Sequence, residues 1–328
     1  MGTGILAVCS KLYSTSLPQL QVLANALTYL NTALFAGIAV PWILRWLMFS
    51  RNALSDLNHP VKASFYPTLP VGMMVLACDY LIVIRNLVVA WWLWCVGAVL
   101  TLVFGVIVPY NMFKGEHVKL GHINPSWFIP SVGLIVIPVP GGLLLAHTAG
   151  IVRDLALLVN IVGWGAGFFT YLALLAICTY RLILHSILPN TLAPTLWINL
   201  GPIGAGTVAL YNIVKNTMFI TDSAKGPLLV FGMLFWGSGM WWFMIAALMT
   251  LHYLRKVGLP YTPSWWAFIF PLGAYVIATY KVALVTSSTT IYCVGALLYA
   301  LLLLLWLTTA IKTFKHKVVE DLLLRRGT

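Results

Sequence analysis

A chain of 328 residues in which 61% are hydrophobic and only 8% are Asp, Glu, Lys or Arg is not a soluble globular domain, where charged residues make up ~25%. Its apolar stretches follow one another with no soluble insert, so the sequence predicts one polytopic membrane domain over residues 1–328. The net charge of +12 leans toward anionic partners, though most of it falls where cytoplasmic loops ordinarily gather Lys and Arg; nucleic acid is not an expected partner.

Cutting at charges, Asn, Pro and Gly gives ten predicted spans. The first, 1–15, opens Met1-Gly2-Thr3-Gly4 with no separate signal peptide. It is short beside the ~20 residues a span needs, so it is either truncated or begins deep in the bilayer. The second, 20–49, is long and has one interior proline, Pro41. The third, 64–83, carries Phe65-Tyr66-Pro67-Thr68-Leu69-Pro70-Val71-Gly72, and the fourth covers 86–109. The fifth, 125–146, carries Trp127-Phe128-Ile129-Pro130-Ser131-Val132-Gly133 and a further proline, Pro138; the sixth covers 151–184. The seventh, 192–215, carries Trp197-Ile198-Asn199-Leu200-Gly201-Pro202-Ile203-Gly204, and the eighth covers 226–254. The ninth, 263–283, carries Trp266-Ala267-Phe268-Ile269-Phe270-Pro271-Leu272-Gly273. The tenth, 287–313, leads into a basic amphipathic tail, read as a solvated or headgroup-bound end.

An aromatic residue, then Pro, then Gly thus recurs in alternate spans, which marks a helical-hairpin repeat. Pro70, Pro130, Pro138, Pro202 and Pro271 each lie inside an apolar stretch, where a proline removes a helical hydrogen bond at a cost of ~3 kcal/mol or more. Broken helices survive in lipid only when buried in protein or lining a wet cavity. The even spans are rich in Leu, Trp and Val, and a helix apolar all round suits lipid contact. The expected fold is therefore all-α: ten transmembrane helices as five hairpins, an inner ring of five proline-kinked odd helices around a pore, and an outer ring of even helices.

With the N-terminus inside, the cytoplasmic face receives 13 of the 19 Lys and Arg, and the outer face keeps Lys11, Arg85, Arg153, Lys215, Lys225 and Lys281. That bias predicts both termini in the cytoplasm. Lys215 and Lys281 fall near outer span ends, so no basic residue is expected to face the middle of the pathway. Asp79 is the one acid clearly within a span; it is either a functional group or the partner of Arg85 in a structural ion pair. Relays of Asp, Glu or His, as proton pumps carry, are not visible. The five cysteines are scattered singly and the histidines form no HExxH or paired set, so neither a disulfide, a metal site nor a cofactor is expected. A membrane-embedded enzyme would need such clusters, and no enzymatic role is expected. The inner helices instead offer Thr3, Thr68, Ser131, Asn199, Thr207 and Thr279 as pore-lining candidates. Weak neutral donors of this kind, with helix N–H groups of partial positive charge, suit loosely held anions.

These segments resemble the tellurite-resistance/dicarboxylate transporter family, which includes bacterial TehA-type channels, fungal malate permeases and sulfite pumps, and the slow anion channels of plant guard cells. Met1-Gly2-Thr3-Gly4-Ile5 is similar to a first-helix motif of the malate-permease branch. His59-Pro60, Phe65 and Pro70-Val71-Gly72-Met73 resemble the lead into the third helix, Trp127-Phe128-Ile129-Pro130 with Gly133 the fifth, Gly201-Pro202 with Gly204 the seventh, and Trp266 to Pro271 the ninth. One departure is the start, where family members have more residues ahead of Met-Gly-Thr-Gly. The resemblance implies five hairpins, a five-helix pore, a homotrimer with one pore per subunit, and a ninth-helix phenylalanine that plugs the pore, which here matches Phe270. Phe268, two positions away, points elsewhere on the helix.

The expected function is an anion channel or transporter of the plasma membrane, conducting small inorganic or organic anions through a phenylalanine-gated pore. The alternative is a proton-linked carrier of a C4-dicarboxylate such as malate, or of sulfite, on the same fold.

Overall fold

The computed structural model describes residues 1–59, 62–115, 120–217 and 220–326, the last nine of these by backbone alone. Pro60 of the third-helix lead-in, and Glu116, His117 and Lys119, lie outside the described residues. The secondary structure is helical throughout the described residues. In chain order the helices are α1 (Gly2–Tyr13), α2 (Leu20–Met48), α3 (Ser50–Leu57), α4 (Thr68–Cys78), α5 (Leu87–Lys114), α6 (Phe128–Val136), α7 (Pro138–Leu144), α8 (Gly150–Leu184), α9 (Leu200–Asn216), α10 (Asp222–His252), α11 (Ile269–Thr286) and α12 (Thr289–Arg326). Short 3₁₀ turns lead into α4, α6, α9 and α11, and π-turns extend α4 over Asp79–Ile84 and α10 over Tyr253–Val257.

Each predicted span coincides with a helical segment, its ends shifted by a few residues except at the C-terminus, where α12 runs on to Arg326. Among the described residues, eight segments are long and apolar enough to cross a membrane. α1, with 12 residues, and α9, with 17, are shorter. One helix was not expected from the sequence: α3 turns off the end of α2 at Phe49 and buries Ala53 and Leu57. Tyr66 donates from its hydroxyl to Ala53 O at 2.8 Å, and Asn111 Nδ2 donates to Leu57 O at 3.2 Å, which ties α3 to its neighbours.

Burial alternates along the chain. The most apolar windows of 63–84, 125–147 and 263–286 are 67%, 83% and 72% buried, whereas those of α2, α5, α8, 222–257 and 289–317 are 17–33% buried. α1 buries nine of its 12 residues and α9 buries 15 of its 17. α1 packs against α4 and α11, α4 against α6 and α7, α6 and α7 against α9, and α9 against α11. The long peripheral helices pack on these: α2 on α1, α5 on α4, α8 on α6, α10 on α9 and α12 on α11.

The proline positions need correction. Pro70, Pro130, Pro202 and Pro271 each stand two residues after the start of α4, α6, α9 or α11. In a first turn the backbone N–H has no intrahelical partner to lose, so these prolines do not break a helix. They fix the change from a 3₁₀ lead-in to an α-helix at the same place in four segments. Pro138 is the one mid-span interruption: it opens α7 directly after α6 ends. Leu134 O, which loses its usual donor at Pro138, accepts from Ile137 N at 3.2 Å, and carbonyls from Ile137 onward also take side-chain donors. Trp94 Nε1 donates to Ile137 O at 3.0 Å, Asn212 Nδ2 to Val139 O at 2.7 Å, and Asn216 Nδ2 to Gly142 O at 3.0 Å. Satisfying those groups internally is what makes a broken segment tolerable away from water.

The tryptophans of the peripheral helices are also not simply lipid-facing. Trp164, Trp236, Trp242 and Trp306 donate their indole N–H groups to Gly206 O, Thr279 Oγ1, Leu196 O and Thr3 Oγ1. Each joins a peripheral helix to a buried one; a buried indole N–H needs such an acceptor.

Candidate functional site

Two cavities lie among the buried helices, and Phe270 lines both. The first, ≈ 230 Å³, runs beside α1, α4, α6, α7, α9 and α11 from Phe270 toward Asn212 and Lys281. The second, ≈ 380 Å³, lies on the side of Met1 and is bounded by Thr68, Ile129, Ile198 and Ala267 from the four 3₁₀-to-α junctions. Phe270 also borders a lateral cavity of ≈ 470 Å³ between α1, α2, α4 and α12. Its ring is partly exposed to these spaces although its neighbours Ile269 and Pro271 are buried. Phe268 is 2% exposed and stacks edge-on against Trp197 and Trp265, with ring centroids 5.4 Å and 5.8 Å apart.

The register of the four lead-ins explains this placement. The residue before each first-turn proline is Leu69, Ile129, Gly201 or Phe270. Ile129 and Phe270 line the second cavity, and Leu69 the lateral one. At Gly201 a side chain would meet only Val132 and Pro271, at 3.6 Å and 3.8 Å. One aromatic ring therefore occupies a position that the other segments fill with aliphatic groups or leave bare.

The polar residues expected to line a pore divide into two sets. Thr68 lines the second and lateral cavities, and Thr3 the lateral one, where its Oγ1 accepts from Trp306. Ser131, Asn199, Thr207 and Thr279 are buried and line none of the three cavities. Ser131 donates to Phe128 O at 2.8 Å within its own helix. Thr207 donates to Ile203 O and reaches Gly232 O of α10 at 3.4 Å. Thr279 accepts from Trp236 Nε1 of α10 at 2.9 Å. Thr207 and Thr279 thus join helices, because a buried hydroxyl is satisfied by the nearest backbone or indole group.

Two charged residues behave differently from expectation. Asp79 is fully buried at the start of the π-turn that follows α4, and its Oδ2 accepts from Asn31 Nδ2 of α2 at 2.7 Å. Arg85 does not pair with it: Arg85 is exposed and takes a left-handed backbone conformation, φ 63°, as the turn ends. Lys281 was placed at an outer span end by the sequence, yet it lines the first cavity and donates from Nζ to Asn212 Oδ1 at 2.8 Å. A count of residues along the helix gives its depth; that it faces the cavity follows from how α9 and α11 pack. Among the described residues no group of three or more His, Cys, Asp or Glu is placed to hold a metal ion.

An aromatic ring between two mainly apolar cavities, with one lysine at the far end of one of them, suits passage of a small solute. The chain matches the voltage-dependent anion channel family, SLAC1, over residues 1–314. It is similar to an uncharacterized transporter of Methanocaldococcus jannaschii, 52% identical over 313 residues that span 95% of this chain and 90% of that protein. It is also similar to a sulfite efflux pump of Arthroderma otae, 25% identical over 98% of this chain and 90% of that protein. A malic acid transport protein of Schizosaccharomyces pombe is 19% identical over 92% of this chain and 73% of that protein. These matches bear out the resemblance carried by the Pro-Gly motifs.

Proposed function

Because this chain belongs to the voltage-dependent anion channel family, we propose that it conducts small anions across the cell membrane through a pore along each subunit, with Phe270 as the constriction. The observation that carries the reading is that Phe270 lines the cavities on both of its sides. An apolar ring in a narrow passage bars ions by bulk and by dewetting. The chain is a multi-pass membrane protein of a transporter and channel family. The neighbour relations of α1, α4, α6 with α7, α9 and α11 support five inner segments around one axis. On that reading α1 and α9 complete a set of ten spans arranged as five hairpins, and residues 1–328 act as one transport domain.

The α-helices that follow the 3₁₀ lead-ins begin near the second cavity, which brings their partly positive N-termini to the side of the ring that faces Met1. That arrangement favours anions over cations. The bias of Lys and Arg supports cytoplasmic termini, and on that reading this side of Phe270 faces the cytoplasm. Assembly as a homotrimer with one pore per subunit completes the reading.

The second reading is a proton-linked carrier of a C4-dicarboxylate or sulfite, as the names of two relatives suggest. Lys281 in the first cavity favours keeping it, since a carrier of an organic anion needs a basic group in its path. Recording from the protein in a planar bilayer separates the two. Reversal potentials that follow the anion gradient, with no dependence on a proton gradient, indicate a channel; a fixed proton stoichiometry indicates a carrier. No anion flux in wild type or in Phe270→Ala would defeat both.

A further inference from the structure

The first cavity is walled by aliphatic side chains such as Ile5, Val8, Ala274 and Ile277, and Asn212 and Lys281 are the polar side chains in it. Asn212 is held in one orientation. Its Nδ2 donates to Val139 O at 2.7 Å, so its Oδ1 is the atom left to accept from Lys281 Nζ at 2.8 Å. The backbone just past the α6–α7 break comes close enough to hold it there: a side chain at Gly142 would meet Asn212 Cβ at 2.8 Å. An ammonium has three donors, and Asn212 takes one. Among the described residues no carboxylate lies within ion-pair distance of Lys281. A cation in apolar surroundings is costly unless an opposite charge accompanies it.

We infer that Lys281, positioned by Asn212, is a binding site for one monovalent anion in the cavity on the outer side of Phe270: a halide, nitrate, or an oxyanion bearing a single negative charge. The inference rests on the pore reading above and names the substrate class of that pore. A single ammonium and a single amide match one negative charge. The second charge of a dianion would lie in the same cavity among aliphatic side chains, with no second cation among the lining residues to compensate it. A diprotic acid would therefore bind here as its monoanion. From Phe270 to Lys281 is eleven residues of α11, or about 16 Å, so a bound anion would wait beyond the ring and not against it.

The test is anion binding by the full chain in detergent. Thermal melts are titrated with sodium nitrate and with sodium sulfate, ionic strength being held with sodium gluconate. Wild type should show a saturable rise in melting temperature with nitrate and none beyond the gluconate control with sulfate. Lys281→Met should weaken the nitrate response by about ten-fold or more, as expected for loss of a charge-assisted contact, and Lys281→Arg should keep most of it. Lys281→Gln serves if the methionine variant does not fold. A nitrate response unchanged in Lys281→Met or Lys281→Gln, or no saturable response in wild type, would overturn the site; a Lys281-dependent sulfate response as strong as that to nitrate would overturn its charge class. Nitrate flux in liposomes is measured on the same preparations. Flux without Lys281-dependent binding sinks this inference and leaves the pore reading standing, whereas Lys281-dependent binding without flux in wild type or Phe270→Ala does the reverse.

Discussion

Gly204 of α9 stands so close to Tyr275 of α11 that a methyl group on it would lie 2.5 Å from the Tyr275 amide nitrogen and 2.5 Å from the carbonyl carbon of Ala274. The two helices meet backbone to backbone, as small residues allow between membrane helices. Gly204→Ala must push them apart and should cost about 1–3 kcal/mol. Gly201→Ala, whose new methyl would meet only Val132 and Pro271 at ordinary contact distances, should change stability little. Thermal melts of both variants in detergent check this; equal melting temperatures would show that α9 and α11 do not meet as described.

Phe270→Ala removes the ring between the two cavities and should raise anion flux by about ten-fold or more if the ring is the constriction. Phe268 packs against Trp197 and Trp265 instead of lining those cavities, so Phe268→Leu should lower stability and leave flux per folded protein unchanged. Fluxes that match in the two variants would remove Phe270 from the gate.

Asn31→Ala takes away the one hydrogen-bond donor that Asp79 Oδ2 has, while Asp79 Oδ1 already has no protein partner. Leaving a buried carboxyl unsatisfied should cost about 1–3 kcal/mol. Thr32→Ala at the next position loses a hydroxyl that bonds mainly within its own helix and should stay within about 0.5 kcal/mol of wild type. A melt in which Asn31→Ala is as stable as Thr32→Ala would contradict the burial of Asp79.

Outside the spans, Asp56 accepts from Lys62 Nζ at 3.0 Å and pairs with Arg45. The hydrogen bond from Lys62 is the largest effect; with that from Arg45 and the charge of the two cations it holds the carboxyl below the usual carboxylate range against the opposing effect of partial burial. A carboxyl lowered in the folded state stabilises that state above its unfolded value, and the contribution disappears as pH falls through the folded value. The cluster is exposed and worth under about 1 kcal/mol. Asp56→Asn should therefore be slightly less stable than wild type at pH 7, and the difference should shrink as pH falls below the usual carboxylate range. The difference at pH 7 should also shrink in molar salt.

Much of the fold is legible in the residues because lipid leaves few options. Apolar length, the Pro-Gly punctuation and the run of Lys and Arg set the helical segments to within a few residues over most of the chain, and alternation in sequence reappears as alternation in burial. The proline signal was real but misread: at Pro70, Pro130, Pro202 and Pro271 it marks where an α-helix starts. Sequence shows that a helix contains a proline, while the 3₁₀ lead-in that turns it into a first-turn residue depends on packing around it.

The polar residues were less legible. Thr207 and Thr279 look like pore hydroxyls by position, yet they bond toward α10, and Lys281 looked like an end residue, yet it reaches Asn212 across 69 positions of chain. The amino-acid sequence by itself determined helix content, segment limits and which segments are buried, because these follow from the transfer cost of side chains and backbone along one segment at a time. Only the tertiary structure decided which side of each helix faces a cavity. That depends on how neighbouring helices are rotated and how closely glycines such as Gly204 let them approach, which is a relation between segments and not a property of either one.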